Sequence, residues 1–204
     1  MTDLEKIARI IRMRTLEQSH KERLTHLGSC LSCSDILVAL YFEVMNDDDE
    51  FILSKGHAAP VLYQVLVKAG RPLPSRPHGV EETTGSLGHG LPIAVGRALA
   101  KKISGEKGNV YVLLGDGECD EGTVWEAARF AQKHKLSNLV AIVDCNGWQA
   151  TDRCDTHYIH QVWRGFGWLT CRIDGNDMAS VVDAVRISDQ FPVAVIADTV
   201  KGCG

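Results

Sequence analysis

Residues 115–146 decide the fold. They begin Gly115-Asp116-Gly117-Glu118-Cys119-Asp120-Glu121-Gly122 and end at Asn146. Apolar residues 110–114 predict a strand that leads into Gly-Asp-Gly, and a helical segment and a second apolar strand precede Asn146. A parallel crossover of this size returns the chain to the same sheet edge, so Asp116 and Asn146 are predicted to face one ion. Their oxygens suit an octahedral magnesium ion that also holds phosphates. The spacing leaves an ordinary Asp-Gly turn as a second interpretation.

The rest of the chain predicts an α/β fold with a mainly parallel sheet and helices on both faces, because strand and helix patterns alternate. The predicted strands are residues 51–54, 110–114, 139–144, 168–173 and 193–199. The predicted helices are residues 3–24, 34–41, 58–69, 91–103, 123–133, 155–166 and 178–187. A chain of 204 residues is long enough for one well-buried domain, so we expect residues 1–204 to form a single domain.

The bulk composition argues against several classes of function. The net charge of −4 gives no basic surplus for binding nucleic acid. No apolar run approaches membrane length and the N-terminus lacks a signal-peptide pattern, so we expect a cytoplasmic protein without membrane contact. The seven scattered cysteines favour reduced thiols. Cys30 and Cys33 could form half of a zinc site, but no second Cys-x-x-Cys exists and buried thiols are favoured.

Two histidines occupy turns at the ends of predicted elements. His26 lies between the first two predicted helices, and His57 follows the predicted strand at residues 51–54. A strand-to-helix turn is the usual place for ligand contacts in α/β folds, although a lone histidine on a turn is usually just a surface residue. The acidic residues 46–50 are interpreted as a solvated loop, since the carboxylates are consecutive.

Further motifs extend in one order from about residue 10 to the C-terminus. They are His26-Leu-Gly-Ser, Ser34-Asp35-Ile, Phe51-Ile-Leu-Ser-Lys-Gly-His57-Ala-Ala, Gly79-Val-Glu, Thr84-Gly-Ser-Leu-Gly-His-Gly90, Gly115-Asp-Gly-Glu-x-x-Glu121-Gly122, Trp125-Glu126-Ala, residues 139–146, Asp174-Gly-Asn and Thr199-Val-Lys-Gly. Together they resemble the N-terminal, diphosphate-binding domain of transketolase. Gly-Asp-Gly followed by Asn would fit any thiamine diphosphate enzyme, whereas Ser-Lys-Gly-His and Thr-Gly-Ser-Leu-Gly before it are typical of the transketolase group.

The resemblance implies a thiamine diphosphate-binding fold and a role for each motif residue. Asp116, the Asn146 side chain and a backbone carbonyl near Trp148 would ligate Mg²⁺ together with the diphosphate of the cofactor. His57 would contact the phosphates or the reacting carbons, and His26 would line the same pocket. The other residues implied to contact the cofactor or to lie beside it are Leu87, Gly88, Gly117, Glu118 and Glu121. The resemblance also places Glu121 and Glu126 near a subunit contact.

The activity that the resemblance implies is transfer of a two-carbon ketol unit from a ketose donor to an aldehyde acceptor. The cofactor would carry the chemistry, and the protein would position it and supply acid–base groups. His26 and His57 are the candidate proton donors, since imidazole titrates near neutrality. The implied substrates are sugars or sugar phosphates.

Full-length transketolase has a second, pyrimidine-binding domain, which these residues do not contain. We therefore expect a split enzyme, a heterotetramer in which a second subunit carries that domain. On the substrate side, His78 has the wrong spacing for the pocket histidine of the family, and His89 stands where the family often has Gln. The open alternatives are a specialised biosynthetic two-carbon transferase, a subunit of another thiamine diphosphate enzyme such as a 2-oxoacid dehydrogenase, and a non-catalytic regulatory paralogue.

Overall fold

Five parallel strands form the central sheet of the protein. The structure, a computed structural model, describes residues 2–73, 86–149, 152–185 and 190–204. Within them the sheet order is β1-β2-β3-β7-β6, and a separate antiparallel pair is formed by β4 and β5. The strands are β1 (Glu50–Leu53), β2 (Val110–Gly115), β3 (Leu139–Cys145), β4 (Trp148–Gln149), β5 (Asp152–Arg153), β6 (Leu169–Asp174) and β7 (Val193–Asp198).

Helices connect the strands, and α1, α7 and α8 among them begin at side chains that cap the helix. They are α1 (Asp3–Glu22), α2 (Leu27–Ser32), α3 (Ser34–Ala39), α4 (Ala59–Lys68), α5 (Gly90–Ser104), α6 (Gly122–Lys133), α7 (Thr156–Gly165) and α8 (Met178–Ala184). At the start of α1, the Thr2 hydroxyl accepts from the Glu5 amide and the Glu5 carboxylate accepts from the Thr2 amide, which is a capping box. The Asp155 and Asp177 carboxylates cap α7 and α8 in the same sense.

Each buried strand contributes alternate residues to two apolar cores, because successive side chains point to opposite faces of a sheet. Leu113 and Ile142 belong to the core beneath α1, α3, α4 and α8. Leu114 and Val143 belong to the core beneath α5, α6 and α7. Every residue of β2 and β3 is buried, as the central strands of a sheet covered on both faces require. The α/β fold with helices on both faces is therefore confirmed.

The structure differs from the predicted elements in three places. A short helix, α2, separates His26 from α3, where the sequence predicted a simple turn before one helix. The antiparallel pair of β4 and β5 was not predicted, since strands of two residues carry no periodic pattern. The predicted helix at residues 178–187 ends at Ala184. His78 and the motif residues 79–81 and 84–85 lie outside the described residues.

Two further expectations concern the environment of the chain. None of the helices in the described ranges is both long and apolar enough to cross a membrane. All seven cysteines are free thiols, and Cys30 and Cys33 are buried. Burial raises the pKa of both of these thiols, so they behave as inert apolar groups.

Candidate active site

A cavity of about 600 Å³ opens at the carboxyl ends of the parallel strands. Loops that follow neighbouring strands converge at this edge, where open α/β sheets bind their ligands. The lining residues come from the segments that follow β1, β2, β3 and β7, from the start of α2, from the turn before α5 and from the β4–β5 pair. They are His26, Ser29, Lys55, His57, Leu87, Gly115, Asp116, Gly117, Glu118, Asp120, Glu121, Asn146, Trp148, Gln149, Asp152 and Lys201.

Asp116 follows β2 and is a buried carboxylate of this cavity wall, with 2% of its surface exposed. Its Oδ1 accepts a hydrogen bond from the Gly117 amide at 3.0 Å, and its Oδ2 accepts one from the Gly147 amide at 2.8 Å. Gly147 has φ +78°, the left-handed region that favours glycine. Burial, followed by the charge of Asp144, raises the pKa of Asp116, and the amide hydrogen bonds lower it. A cation here would stabilise the charged carboxylate.

The structure brings Asp116 and Asn146 together, as the crossover argument predicted. The Trp148 amide donates to Asp116 Oδ2 at 3.2 Å and to Asn146 Oδ1 at 3.2 Å, so both oxygens lie within hydrogen-bond reach of one nitrogen. The paired register of β2 and β3, with Gly115 opposite Asp144, produces this meeting.

The donor set fits a magnesium ion that takes part of its coordination from a ligand. A carboxylate, an amide oxygen and a backbone carbonyl are hard oxygen donors, and Mg²⁺ is usually bound through one or two carboxylates plus phosphates and water. The described residues contain no group of three His, Cys, Asp or Glu side chains that could hold a metal ion. A metal at Asp116 would therefore depend on oxygens beyond the protein's charged side chains.

Two glycine turns border the cavity where backbone segments approach closely. Gly88 has φ +77°, and a Cβ there would lie 2.6 Å from the Thr123 hydroxyl. A Cβ on Gly117 would lie 2.9 Å from Cβ of Gln149. Since real Cβ atoms do not approach other atoms so closely, both positions require glycine. Leu87, beside Gly88, presents an apolar side chain to the cavity.

His26 and His57 lie side by side at one end of the cavity, with ring centroids 5.2 Å apart. His26 adopts φ +65° at the start of α2, and His57 sits in the turn between β1 and α4. Burial, the positive charge of Lys55 and the neighbouring His26 lower the pKa of His57 to about 4. The expectation that His57 titrates near neutrality is therefore wrong. At pH 7 its imidazole is neutral, with one nitrogen able to donate and the other to accept a hydrogen bond.

A buried ion pair that no sequence motif predicted lies beneath the cavity. The Lys55 ammonium donates to the Asp144 carboxylate and, at 3.1 Å, to the Ser29 carbonyl. Asp144 also accepts from the hydroxyls of Ser32, at 2.7 Å, and Thr199. Asp144 raises the pKa of Lys55 although burial opposes it, so the lysine stays charged. The only sequence signal was a lysine and an aspartate at the ends of apolar strands.

The predicted site residues line the cavity, with the exception of Gly88. The side chain of Glu118 lines it, but both carboxylate oxygens accept hydrogen bonds from the protein. The Gly88 amide donates to Glu118, and Gly88 is not a lining residue. His89 is exposed at the start of α5 and is not a lining residue. Lys201 and Gln149 line the cavity although their sequence context predicted no role for them.

The fold and its strand ends define an α/β protein with hard oxygen donors at the mouth of its sheet. The sequence matches the thiamine diphosphate binding domain of transketolase over residues 67–204. A 6-deoxy-6-sulfo-D-fructose transketolase subunit of Clostridium sp. (strain MSTE9) is 37% identical, and the match covers 99% of this chain and 86% of that protein. An apulose-4-phosphate transketolase subunit of Actinobacillus succinogenes is 39% identical with the same coverage. The chain belongs to the transketolase family and is a transketolase-like subunit with a thiamine diphosphate-binding fold.

Solved structures show the same relationship and its extent. Transketolase from Campylobacter jejuni superposes with a TM-score of 0.83 at 26% identity, and the match covers 96% of this chain. The chain spans 37% of the length of that transketolase. The alignments with the two subunits extend over 237 positions, more than the length of this chain, so the relatives carry segments that this chain lacks.

Proposed function

We propose that the chain is the diphosphate-binding subunit of a two-chain, thiamine diphosphate- and Mg²⁺-dependent enzyme that transfers a two-carbon ketol unit from a ketose to an aldehyde. The observation that carries this proposal is the meeting of Asp116 and Asn146 at the Trp148 amide, with His26 and His57 on the same cavity. Membership of the transketolase family supports thiamine diphosphate as the cofactor. The free cysteines fit a reducing compartment such as the cytoplasm.

The residues of this chain would bind and orient the diphosphate end of the cofactor. Asp116, the Asn146 side chain and the Trp148 carbonyl would hold Mg²⁺, and the Gly117 amide would face the phosphates. When bound, thiamine diphosphate supplies a carbon nucleophile and an electron sink for breaking and forming bonds beside a carbonyl. Lys201 adds a positive charge to the cavity wall, 5.9 Å above the Trp148 ring.

His26 and His57 would exchange protons with the hydroxyl and carbonyl oxygens of the substrate. A neutral His57 accepts a proton from a donor hydroxyl. Burial and the charge of Lys55 keep its pKa low, although Asp144 opposes them. The adjacent His26 ring, 5.2 Å away, can contact the next oxygen of a sugar chain. Two imidazoles in this arrangement suit a polyhydroxylated substrate.

We further propose that residues 1–204 form a single domain and that a second subunit with a pyrimidine-binding domain completes each site, in a heterotetramer. The cavity is open on the side where Leu87 and Glu121 are exposed. The relatives named as subunits are matched over 86% of their length, which supports a two-chain organisation. The names of these relatives point to sulfonated or phosphorylated sugars as substrates to test first.

Reconstitution with the chain that co-purifies from the native source tests this proposal. The reconstituted complex, with thiamine diphosphate and MgCl₂, is expected to transfer a two-carbon unit from a ketose phosphate or sulfonated ketose, and to show no activity with pyruvate. The variant Asp116→Ala in the same complex should lose both cofactor binding and turnover. Normal turnover by the isolated chain would refute the two-chain organisation, and a complex that cannot bind the cofactor would refute the function.

A further inference from the structure

Glu118 lies between the turns at residues 86–90 and 115–117. Both of its carboxylate oxygens accept hydrogen bonds from the protein. Its side chain is 1% exposed. One carboxylate oxygen, Oε1, accepts from the Ser54 hydroxyl at 2.6 Å and from the Gly88 amide at 3.0 Å. The other, Oε2, accepts from the Gly115 amide at 2.8 Å. One carboxylate thus joins the end of β1, the turn before α5 and the end of β2.

Two further hydrogen bonds hold the segments that Glu118 joins. The Ser54 hydroxyl, while donating to Glu118, accepts from the Gly90 amide at 3.2 Å. The Thr123 hydroxyl donates to the Gly88 carbonyl at 3.2 Å, so both sides of that turn are fixed. A Cβ on Gly90 would lie 2.4 Å from Cβ of Ser54, which shows how closely the two segments approach. The turn that carries Leu87 is therefore held against the Gly115–Gly117 turn through Glu118.

The electrostatics argue against direct contact between Glu118 and a diphosphate. A carboxylate facing phosphate oxygens would be repelled, whereas Asp116 can share a cation with them. Glu118 directs its charge toward two backbone amides and a hydroxyl, which are charge-assisted donors. An acid can therefore stand two residues from Asp116 in an anion site without opposing the anion.

We infer that Glu118 is a positioning residue, which sets the separation of the two glycine turns that hold the cofactor and does not itself touch the cofactor. The inference rests on the proposed function, since it assumes that the turns at residues 86–90 and 115–117 bind thiamine diphosphate. It assigns to Glu118 and Ser54 a role that the residue types alone do not reveal. Partners outside the direct contact layer commonly change affinity by about 10-fold to 100-fold when mutated.

Amide hydrogen exchange in the chain without cofactor tests the inference directly. In Glu118→Gln, a side-chain NH₂ replaces one acceptor oxygen and the charge that strengthens the other hydrogen bond is lost. The amides of Gly88 and Gly115 should therefore exchange faster, by about tenfold at the amide that faces the NH₂. The amide of Ile142 in the central strand should keep its rate. In Ser54→Ala, the Gly90 amide should exchange faster while Gly115 stays unchanged. Glu106→Gln removes a charge at an exposed position and serves as the matched control.

Cofactor affinity in the reconstituted complex provides the second measurement. Glu118→Gln should weaken the binding of thiamine diphosphate with Mg²⁺ by about 10-fold to 100-fold, and Glu106→Gln should leave it unchanged. Weaker binding with unaltered exchange at Gly88 and Gly115 would mean direct contact and would overturn the inference. Unchanged affinity in Glu118→Gln would also overturn it. If Glu118→Gln does not fold, Ser54→Ala takes its place: faster exchange at the Gly90 amide with weaker cofactor binding supports the inference, and unchanged affinity overturns it.

Failure of the proposed function and failure of the positioning role of Glu118 would give different results. A wild-type complex that does not bind thiamine diphosphate contradicts the proposed function, whatever the exchange rates of the variants. A wild-type complex that binds the cofactor, with a Glu118→Gln variant that binds it equally well, contradicts only the positioning role.

Discussion

Asp116 and Asp144 are two buried carboxylates at the ends of neighbouring strands, and their surroundings differ sharply. Asp144 receives the Lys55 ammonium and the hydroxyls of Ser32 and Thr199. Asp116 receives backbone amides only, among the hydrogen bonds of the described residues, and it borders the cavity. The carboxylate of Asp144 is neutralised within the fold by a buried ammonium. The carboxylate of Asp116 is bonded only to amides among the described residues and is therefore available for an external cation.

The largest expected effect follows from breaking the pair beneath the cavity. Lys55→Met leaves Asp144 charged and buried, so the free energy of unfolding should fall by about 3–5 kcal/mol. Urea denaturation of the isolated chain measures this loss. Lys102→Met is the matched control, because that ammonium bonds to surface carbonyls and its removal should cost less than about 1 kcal/mol.

A double variant sharpens the same measurement. In Lys55→Met with Asp144→Leu, no buried charge remains unpaired, so part of the lost stability should return. If Lys55→Met and Lys102→Met lower the free energy of unfolding by the same amount, Lys55 does not compensate the buried charge of Asp144.

The second effect concerns the other carboxylate. Asp116→Asn removes a charge that burial disfavours but keeps one acceptor oxygen where the carboxylate has two, so the apo complex should lose no more than about 1 kcal/mol of stability. Cofactor with Mg²⁺ at about 100 times its dissociation constant should stabilise the wild type by about 2.7 kcal/mol. The variant should gain none of this. Thermal unfolding with and without cofactor and MgCl₂ measures the stability of the apo complex and its increase on cofactor binding. An equal increase in wild type and Asp116→Asn would contradict a role of Asp116 in holding the metal.

Local patterns explain why the strands and the Asp116–Asn146 meeting could be predicted. A fully apolar strand is visible in a few consecutive residues, and the parallel crossover rule then places the ends of β2 and β3 side by side. Residue spacing and chain topology were sufficient because both side chains belong to consecutive strands.

Contacts between distant segments could not be predicted in this way. Lys55 and Asp144 are 89 residues apart, and Ser54 and Glu118 are 64 residues apart. Neither partner carries a local sign of the other, so Glu118 was assigned to the cofactor on resemblance alone. The lowered pKa of His57 was missed for the same reason, since its cause includes the charge of a buried lysine.

A smaller effect is expected from His57 as the pH falls. Because its folded pKa is lowered to about 4, the unfolded chain binds a proton more readily below about pH 6.5. The contribution of His57 to stability is therefore complete above that pH and is lost as the pH falls toward its folded pKa. Since the imidazole faces the open cavity, solvent screening should keep the loss under about 1 kcal/mol.

Denaturation at several pH values, in wild type and in His57→Gln, measures this contribution. The variant should show a flatter profile between about pH 6.5 and pH 4. His20→Gln, at an exposed site on α1, is the control and should leave the profile unchanged. Identical profiles for wild type and His57→Gln would contradict the lowered pKa.

The smallest effect is expected at the rim of the cavity, where exposed contacts replace buried ones. Arg153 in β5 stacks on the Trp148 ring in β4, with its guanidinium carbon 3.7 Å from the ring centre. Such a contact at an exposed site contributes about 0.5–1 kcal/mol, so Arg153→Ala should lower the free energy of unfolding by about 0.5 kcal/mol, the low end of that range. Arg153→Lys keeps the charge but not the planar stacking, so its free energy of unfolding should lie between those of wild type and Arg153→Ala. The fluorescence of Trp148 should also change in Arg153→Ala, because the guanidinium no longer covers its ring. A stability loss as large as that of Lys55→Met would mean that the rim, like the paired charges beneath it, belongs to the scaffold.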